Sequence, residues 1–93
     1  SGGDPLYWGN VHDITALAKK IKEKYPKKTI WLYTGSLWEN LQKMEILKYL
    51  DVLVDGEFVE AKKDVSLQWK GSSNQRVIDV QKSLEQGNVV LHA

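Results

Sequence analysis

Cysteine is missing from all 93 residues of this chain. Its absence excludes disulfides, cysteine-based zinc sites and any iron–sulfur cluster ligated within these residues, because each needs cysteine sulfur. Histidine is scarce, and His12 and His92 stand far apart, neither within a metal-ligand pattern. No apolar run approaches the ~20 residues of a membrane-spanning helix. No secretory leader is expected, so the chain reads as cytoplasmic. An excess of one charge is also missing. The formal net charge is +1, which offers no global attraction to nucleic acid or to an anionic membrane. Internal repeats, low-complexity segments, a Walker loop and a Ser/His/Asp pattern are all absent.

What is present suffices for one domain or a piece of one. Hydrophobic residues make up 42%, with four Trp and four Tyr among them, enough for a packed core. The chain opens on Ser1-Gly2-Gly3-Asp4-Pro5-Leu6. Two adjacent glycines let backbone groups approach a ligand closely. Asp4 offers a carboxylate for an ammonium group, and Pro5 favours an extended Asp4 and can open a helix. Such a strand-to-helix turn is where ligands sit in α/β proteins. A tag remnant followed by an ordinary helix start explains the same residues.

Asn10 can cap a helix from about Val11 to Lys24, with Val11, Ile14, Leu17, Ala18 and Ile21 on one face. Lys19, Lys20, Lys22 and Lys24 suit the negative end of its dipole, and Pro26 ends it. This basic run reads as a solvated face rather than a nucleic-acid patch. Thr29–Thr34 predicts a buried parallel strand, turned by Gly35-Ser36. A second helix is expected from about Leu37 to Leu50, burying Leu37, Leu41, Met44, Leu47 and Leu50. Val52–Asp55 predicts another buried strand. The alternation implies right-handed βαβ crossovers and a parallel sheet, with a first strand expected before Ser1. Beyond Gly56 the pattern is mixed. Val65–Trp69 suggests a short extended segment and Gly71–Arg76 a polar loop. Val77–Val80 suggests a strand, Gln81–Gln86 a short turn or helix ending at Gly87, and Asn88–Leu91 a final strand.

Asp4 and Asp55 each follow a strand position, and in a parallel sheet both lie at the carboxyl edge near one cleft. Thr34-Gly35 belongs to the same edge. Asp55 followed by Gly56 is also compatible with a plain turn. The loop holding Ser72, Ser73, Asn74, Gln75 and Arg76, next to Trp69, is more polar than a connection needs. Arg and Trp are enriched at binding hot spots, so these six residues are candidates for partner contact; a surface turn is the other reading.

Four blocks carry a resemblance across nearly the whole chain: Ser1–Leu6, Ile30–Gly35, Asp51–Phe58 and Trp69–Arg76. Together they resemble the anaerobic ribonucleoside-triphosphate reductase activating proteins of the radical S-adenosylmethionine (SAM) family. The first block is widespread among radical SAM enzymes, whereas Asp-Val-Leu-Val-Asp-Gly and Gly-Ser-Ser-Asn-Gln-Arg are far more specific. The resemblance implies an α/β fold, a parallel sheet with flanking helices within a partial (β/α) barrel. It implies S-adenosylmethionine as cofactor, with Gly2, Gly3 and Asp4 against its methionine end and Asp55 by the cleft; Thr34, at the same sheet edge by its position, joins them as a candidate cofactor contact. Related glycyl-radical activases carry a lysine two residues after that aspartate, where this chain has Glu57. The family's CxxxCxxC loop, which ligates a 4Fe-4S cluster, has no counterpart here. The chain is therefore expected to be a single-domain, C-terminal fragment, inactive alone. Its parent would generate a glycyl radical on anaerobic ribonucleoside-triphosphate reductase. An activase for another glycyl-radical enzyme such as pyruvate formate-lyase, or a stand-alone α/β binding module, are the alternatives. No catalytic or metal residue, nucleic acid or membrane is assigned, and self-association through an unpaired sheet edge is expected.

Overall fold

The computed structural model describes residues 4–6 and 9–93. Helix α1 (Val11–Lys24) forms where expected, with Asp13 in its first turn and Lys22 and Lys24 in its last. Ala18 is buried, and Val11 and Ile14 pack against the core, but Leu17 is 54% exposed. Asn10 makes no side-chain cap bond to the helix; its carboxamide reaches back to the Asp4 carbonyl at 3.4 Å. At the other end Lys22 Nζ donates to Asp51 Oδ2 and to the Lys28 carbonyl, each at 2.7 Å. The same Asp51 oxygen accepts from Ile30 N at 2.7 Å, so one carboxylate joins the end of α1 to the start of the sheet.

The sheet has three strands in the order β1 (Trp31–Tyr33), β2 (Val52–Asp55), β3 (Arg76–Asp79). β1 and β2 pair in parallel, with Leu32 beside Leu53. β2 and β3 are antiparallel, Leu53 facing Ile78 and Asp55 facing Arg76. The sheet is therefore mixed, a correction to the parallel sheet expected from the sequence. A parallel β3 needs a crossover over one face of the sheet, usually helical. Residues 56–75 contain no helix beyond the short 3-10 turn Glu60–Lys62, and they return the chain in the opposite direction. Period-2 alternation sends Leu53 and Ile78 into the main core with Leu6, Ala18, Trp38, Leu47 and Leu50, and Leu32 packs against it. Val52, Val54 and Val77 face the other side, with Trp31 against them.

The expected helix over 37–50 is replaced by two 3-10 segments, Trp38–Asn40 and Glu45–Tyr49. Trp38, Leu41, Met44, Leu47 and Leu50 recur every three residues, which matches the three residues per turn of a 3-10 helix. Backbone bonds Leu41 N to Trp38 O, Met44 N to Leu41 O and Leu47 N to Met44 O follow that spacing. Leu37 is 47% exposed and Trp38 takes its place in the core.

β3 runs directly into α2 (Val80–Gln86), whose first turn is capped by Asp79 accepting from Lys82 N at 3.0 Å. Gly87 closes it in the left-handed region at φ 76°. The final strand expected over 88–91 is reduced to a single bridge, Ile78 to Leu91. Bonds from Asp79 N to Val90 O and from His92 N to Val77 O, both 2.8 Å, lay this segment along β3. Val65–Trp69 is a series of turns and bends, not an extended run.

Candidate functional site

Two parallel strands end side by side, and the chain leaves each through a glycine, Gly35 after β1 and Gly56 after β2. A cleft of about 490 Å³ opens there, lined by Asp4, Pro5, Tyr33, Thr34, Gly35, Gly56, Glu57, Phe58 and Gln75. Asp4 closes one side. Its carboxylate accepts from Leu6 N at 2.9 Å, from Thr34 Oγ1 at 3.1 Å to each oxygen, and from Gly35 N at 2.6 Å. Thr34 Oγ1 in turn accepts from Ser36 N at 3.1 Å. Three donors thus occupy most of the four acceptor positions of a carboxylate. Asp4 clamps the N-terminal turn onto the β1 exit. A Cβ on Gly35 would sit 3.3 Å from Asp4 Oδ2.

Glu57 supplies the second carboxylate of the cleft and is solvent-exposed. Tyr33 and Phe58, each 50% exposed, provide its apolar surface. Among the described residues neither Lys, Arg nor His lines it, and the lining supplies two formal negative charges. Gly56 sits at φ 92°, a region side-chain-bearing residues rarely adopt, and its N–H donates to Ser36 O at 2.9 Å.

The structure thus brings Asp4 and Thr34 together with Gly35. Gly2 and Gly3 lie outside the described residues. Asp55 ends β2 at this edge, yet its side chain turns to the interior and is fully buried. Asp55 Oδ2 accepts from Trp38 N at 2.8 Å and from Arg76 Nη2 at 2.5 Å, while Oδ1 accepts from Arg76 Nε at 3.1 Å. Arg76 also grips Glu39 with bonds of 2.7 and 3.2 Å. Hydrogen bonds to Asp55 first, then to Glu39, hold the guanidinium's pKa above its ordinary value. The Arg76 hydrogen bond, then a backbone N–H, holds the Glu39 carboxyl below its usual range.

The six partner-contact candidates divide. Ser72 is fully buried, and Asn74, Gln75 and Arg76 spend their polar groups inside the chain. Ser73 is exposed, its N–H bonded to Lys62 O at 2.9 Å. Trp69 is 38% exposed and adopts φ 68°. Tyr33 Oη donates to its carbonyl at 2.8 Å, and its ring meets Trp31 and His92 edge-on at 5.7 and 5.0 Å. Sequence reading assigned Gln75 to a partner surface and did not single out Tyr33 or Phe58, although all three line the cleft. For Tyr33 the available signal was its place beside Thr34, and for Phe58 its place two residues after Gly56; Gln75 gave no local signal.

These features define an α/β unit with a ligand-sized cleft at the carboxyl ends of a parallel strand pair. The chain belongs to a known family: residues 1–78 match the 4Fe-4S single cluster domain. It is similar to the anaerobic ribonucleoside-triphosphate reductase-activating proteins of Escherichia coli K12, with 48% identity over 79 residues, and of Enterobacteria phage T4, with 43% over 77. Those alignments cover 83% of this chain and 51% and 49% of the two relatives. The Haemophilus influenzae protein of the same name is 43% identical over 77 residues, 81% of this chain and 50% of that protein. The chain spans about half the length of the curated relatives it matches. No solved structure gives a significant match.

The residues do not fit the cluster for which the family is named. The chain has no cysteine, and among the described residues no group of three or more His, Asp or Glu could hold a metal ion. Among the described residues no helix is long and apolar enough to cross a membrane.

Proposed function

We propose that these 93 residues are the C-terminal, single-domain part of an activase for an anaerobic ribonucleoside-triphosphate reductase, and that their cleft binds S-adenosylmethionine. One observation carries the ligand assignment: a cleft with two carboxylates and, among the described residues, no cationic side chain, at the carboxyl ends of β1 and β2. S-adenosylmethionine brings an ammonium and a sulfonium, which such a cleft favours, and an adenosyl group that can lie against Tyr33 and Phe58. Asp4, Thr34 and Gly35 form one wall, to which Gly2 and Gly3 would add backbone groups. Glu57 stands on the other. Asp55 acts from outside the cleft lining: bound to Arg76 and the Trp38 N–H, it anchors the strand end that leads into Gly56.

On this reading β1 and β2 are neighbouring strands of a partial (β/α) barrel of radical SAM type. The intact protein is an oxidoreductase that produces a glycyl radical on its partner reductase in the cytoplasm. Its 4Fe-4S cluster takes its ligands from residues outside these 93, and the chain alone is inactive. The names of the relatives favour the reductase over pyruvate formate-lyase as partner. Among the described residues, β1 has a strand partner on one side only, and we extend the proposal to self-association of the isolated chain through that edge.

Calorimetric titration with S-adenosylmethionine tests the ligand assignment. Saturable binding is expected, weaker for S-adenosylhomocysteine, which lacks the sulfonium charge, and at least about tenfold weaker in Glu57→Lys, which places a cation in the cleft. No saturation by S-adenosylmethionine at millimolar concentration would refute it.

A further inference from the structure

Backbone pairing of β2 with β3 ends at Asp55 opposite Arg76. Past that point the hydrogen bonding continues, with side chains in place of one backbone. Arg76 holds Asp55. Gln75 Nε2 donates to Gly56 O at 3.0 Å, and Asn74 Nδ2 donates to Glu57 O at 2.7 Å. Ser72 Oγ accepts from Val59 N at 3.1 Å. Residues 76, 75, 74 and 72 thus grip 55, 56, 57 and 59 in antiparallel order. The gripping side chains are themselves fixed. Gln75 Oε1 accepts from Gly71 N at 2.9 Å and Ser72 N at 3.2 Å, and Ser72 Oγ donates to Asn74 Oδ1 at 2.6 Å. Phe58 packs on the same loop, its ring so close to Gly71 that a Cβ there would meet ring carbons at 3.0 and 3.2 Å.

The segment held this way, Gly56-Glu57-Phe58, is one wall of the cleft. We propose that Asn74 and Gln75 are positioning residues for the cleft's ligand: their carboxamides orient the Gly56–Phe58 wall, and the loop is not a partner-binding surface. The proposal rests on the S-adenosylmethionine reading above. Both positions need an amide, since each donates to a backbone carbonyl while its oxygen accepts from the loop. A carboxylate of equal size would turn an oxygen towards that carbonyl and lose the donor.

The test uses the full-length protein containing this chain, with Gln75→Glu and Asn74→Asp made separately. Three quantities are measured: S-adenosylmethionine affinity by calorimetry, reductase affinity, and amide hydrogen exchange of residues 56–59 without ligand. The expected result is about tenfold weaker S-adenosylmethionine binding, reductase affinity unchanged, and faster exchange confined to 56–59. In Gln75→Glu the affinity deficit relative to the wild type should shrink as pH falls through the carboxylate range, because the protonated carboxyl regains a donor. Should the charged variants not fold, Gln75→Met, similar in size and without the amide, replaces them in the same comparison. Weaker ligand binding with exchange unchanged would make the two residues direct ligand contacts and overturn the proposal. Loss of reductase affinity with ligand affinity intact, or no change in any quantity, would overturn it too. If the wild-type protein does not bind S-adenosylmethionine, the functional reading falls, and unchanged exchange at 56–59 then refutes the positioning role independently.

Discussion

The unit from α1 to β2 and the excursion from Gly56 to Gln75 are held by different physics. In the first, Leu53, Ile46, Leu47 and Leu50 are at most 1% exposed and meet the buried side chains of α1 and β3. Apolar burial is non-directional and roughly proportional to area, so losses there scale with the volume removed. In the excursion, Val65 is 92% exposed, and the segment keeps its course through directed bonds from Ser72, Asn74 and Gln75. Each such bond adds little net stability but fixes a direction. The core therefore governs whether the chain folds, and the polar lattice governs the shape of the cleft. Asp55 and Arg76 stand where the two meet.

Breaking that junction should have the largest effect. Asp55→Ala removes a fully buried acceptor and leaves the Trp38 N–H and the Arg76 guanidinium without it. A loss of about 3 kcal/mol or more is expected in urea denaturation, as large as truncating a core leucine. A loss under about 1 kcal/mol would show that the junction is not an anchor.

Gly56→Ala and Gly87→Ala sharpen the contrast between stability and shape. Both glycines have positive φ, 92° and 76°. Each substitution should cost about 1–2 kcal/mol from backbone strain. Only Gly56→Ala should also weaken ligand binding, because Gly87 lies away from the cleft and a Cβ there meets nothing within 4 Å. Equal ligand affinities for the two variants would contradict the division.

A smaller effect is expected from Tyr33→Phe, which deletes the bond to the Trp69 carbonyl. About 0.5–1 kcal/mol should be lost. Trp69 holds an uncommon φ of 68° against Trp31 and His92, so its release should appear as increased quenching of tryptophan fluorescence by acrylamide. Unchanged quenching would show that the ring contacts alone seat the indole.

The smallest effect concerns acid. Glu39 has its pKa lowered in the folded chain by Arg76. A depressed folded-state pKa contributes stability above the unfolded value, lost as pH falls through the folded one. Denaturation midpoints of the wild type and Glu39→Gln should therefore differ slightly at neutral pH and converge as acidification carries the pH below the ordinary carboxylate range. Screening of this exposed pair keeps the difference small, and a gap that widens on acidification would reverse the assignment.

Much of this was legible locally. Helix α1, strands β1 and β2 and the glycine ending α2 follow from apolar spacing, β-branched and aromatic runs, and the freedom of glycine at positive φ. The Asp4–Thr34–Gly35 edge was legible because parallel strands carry their following residues to one side. The helix expected over 37–50 failed because an apolar residue every third position fits both an α-helical face and a 3-10 turn. The bond from Trp38 N to Asp55, 17 residues away, ties the start of that segment to the buried end of β2.

The sequence by itself determined the elements that depend on neighbours along the chain, and the absence of sulfur ligands for any cluster within it. It also carried the family, since the motif blocks are contiguous. Tertiary structure alone decided the direction of β3, the burial of Asp55 against Arg76, and the turning of the Gly71–Arg76 loop towards the cleft wall. Those outcomes depend on which donor meets which acceptor at sequence separations of 13 to 21. Periodicity and propensity describe only a residue's own turn or strand, so they cannot distinguish a side chain that greets a partner from one that completes the protein's own hydrogen bonds.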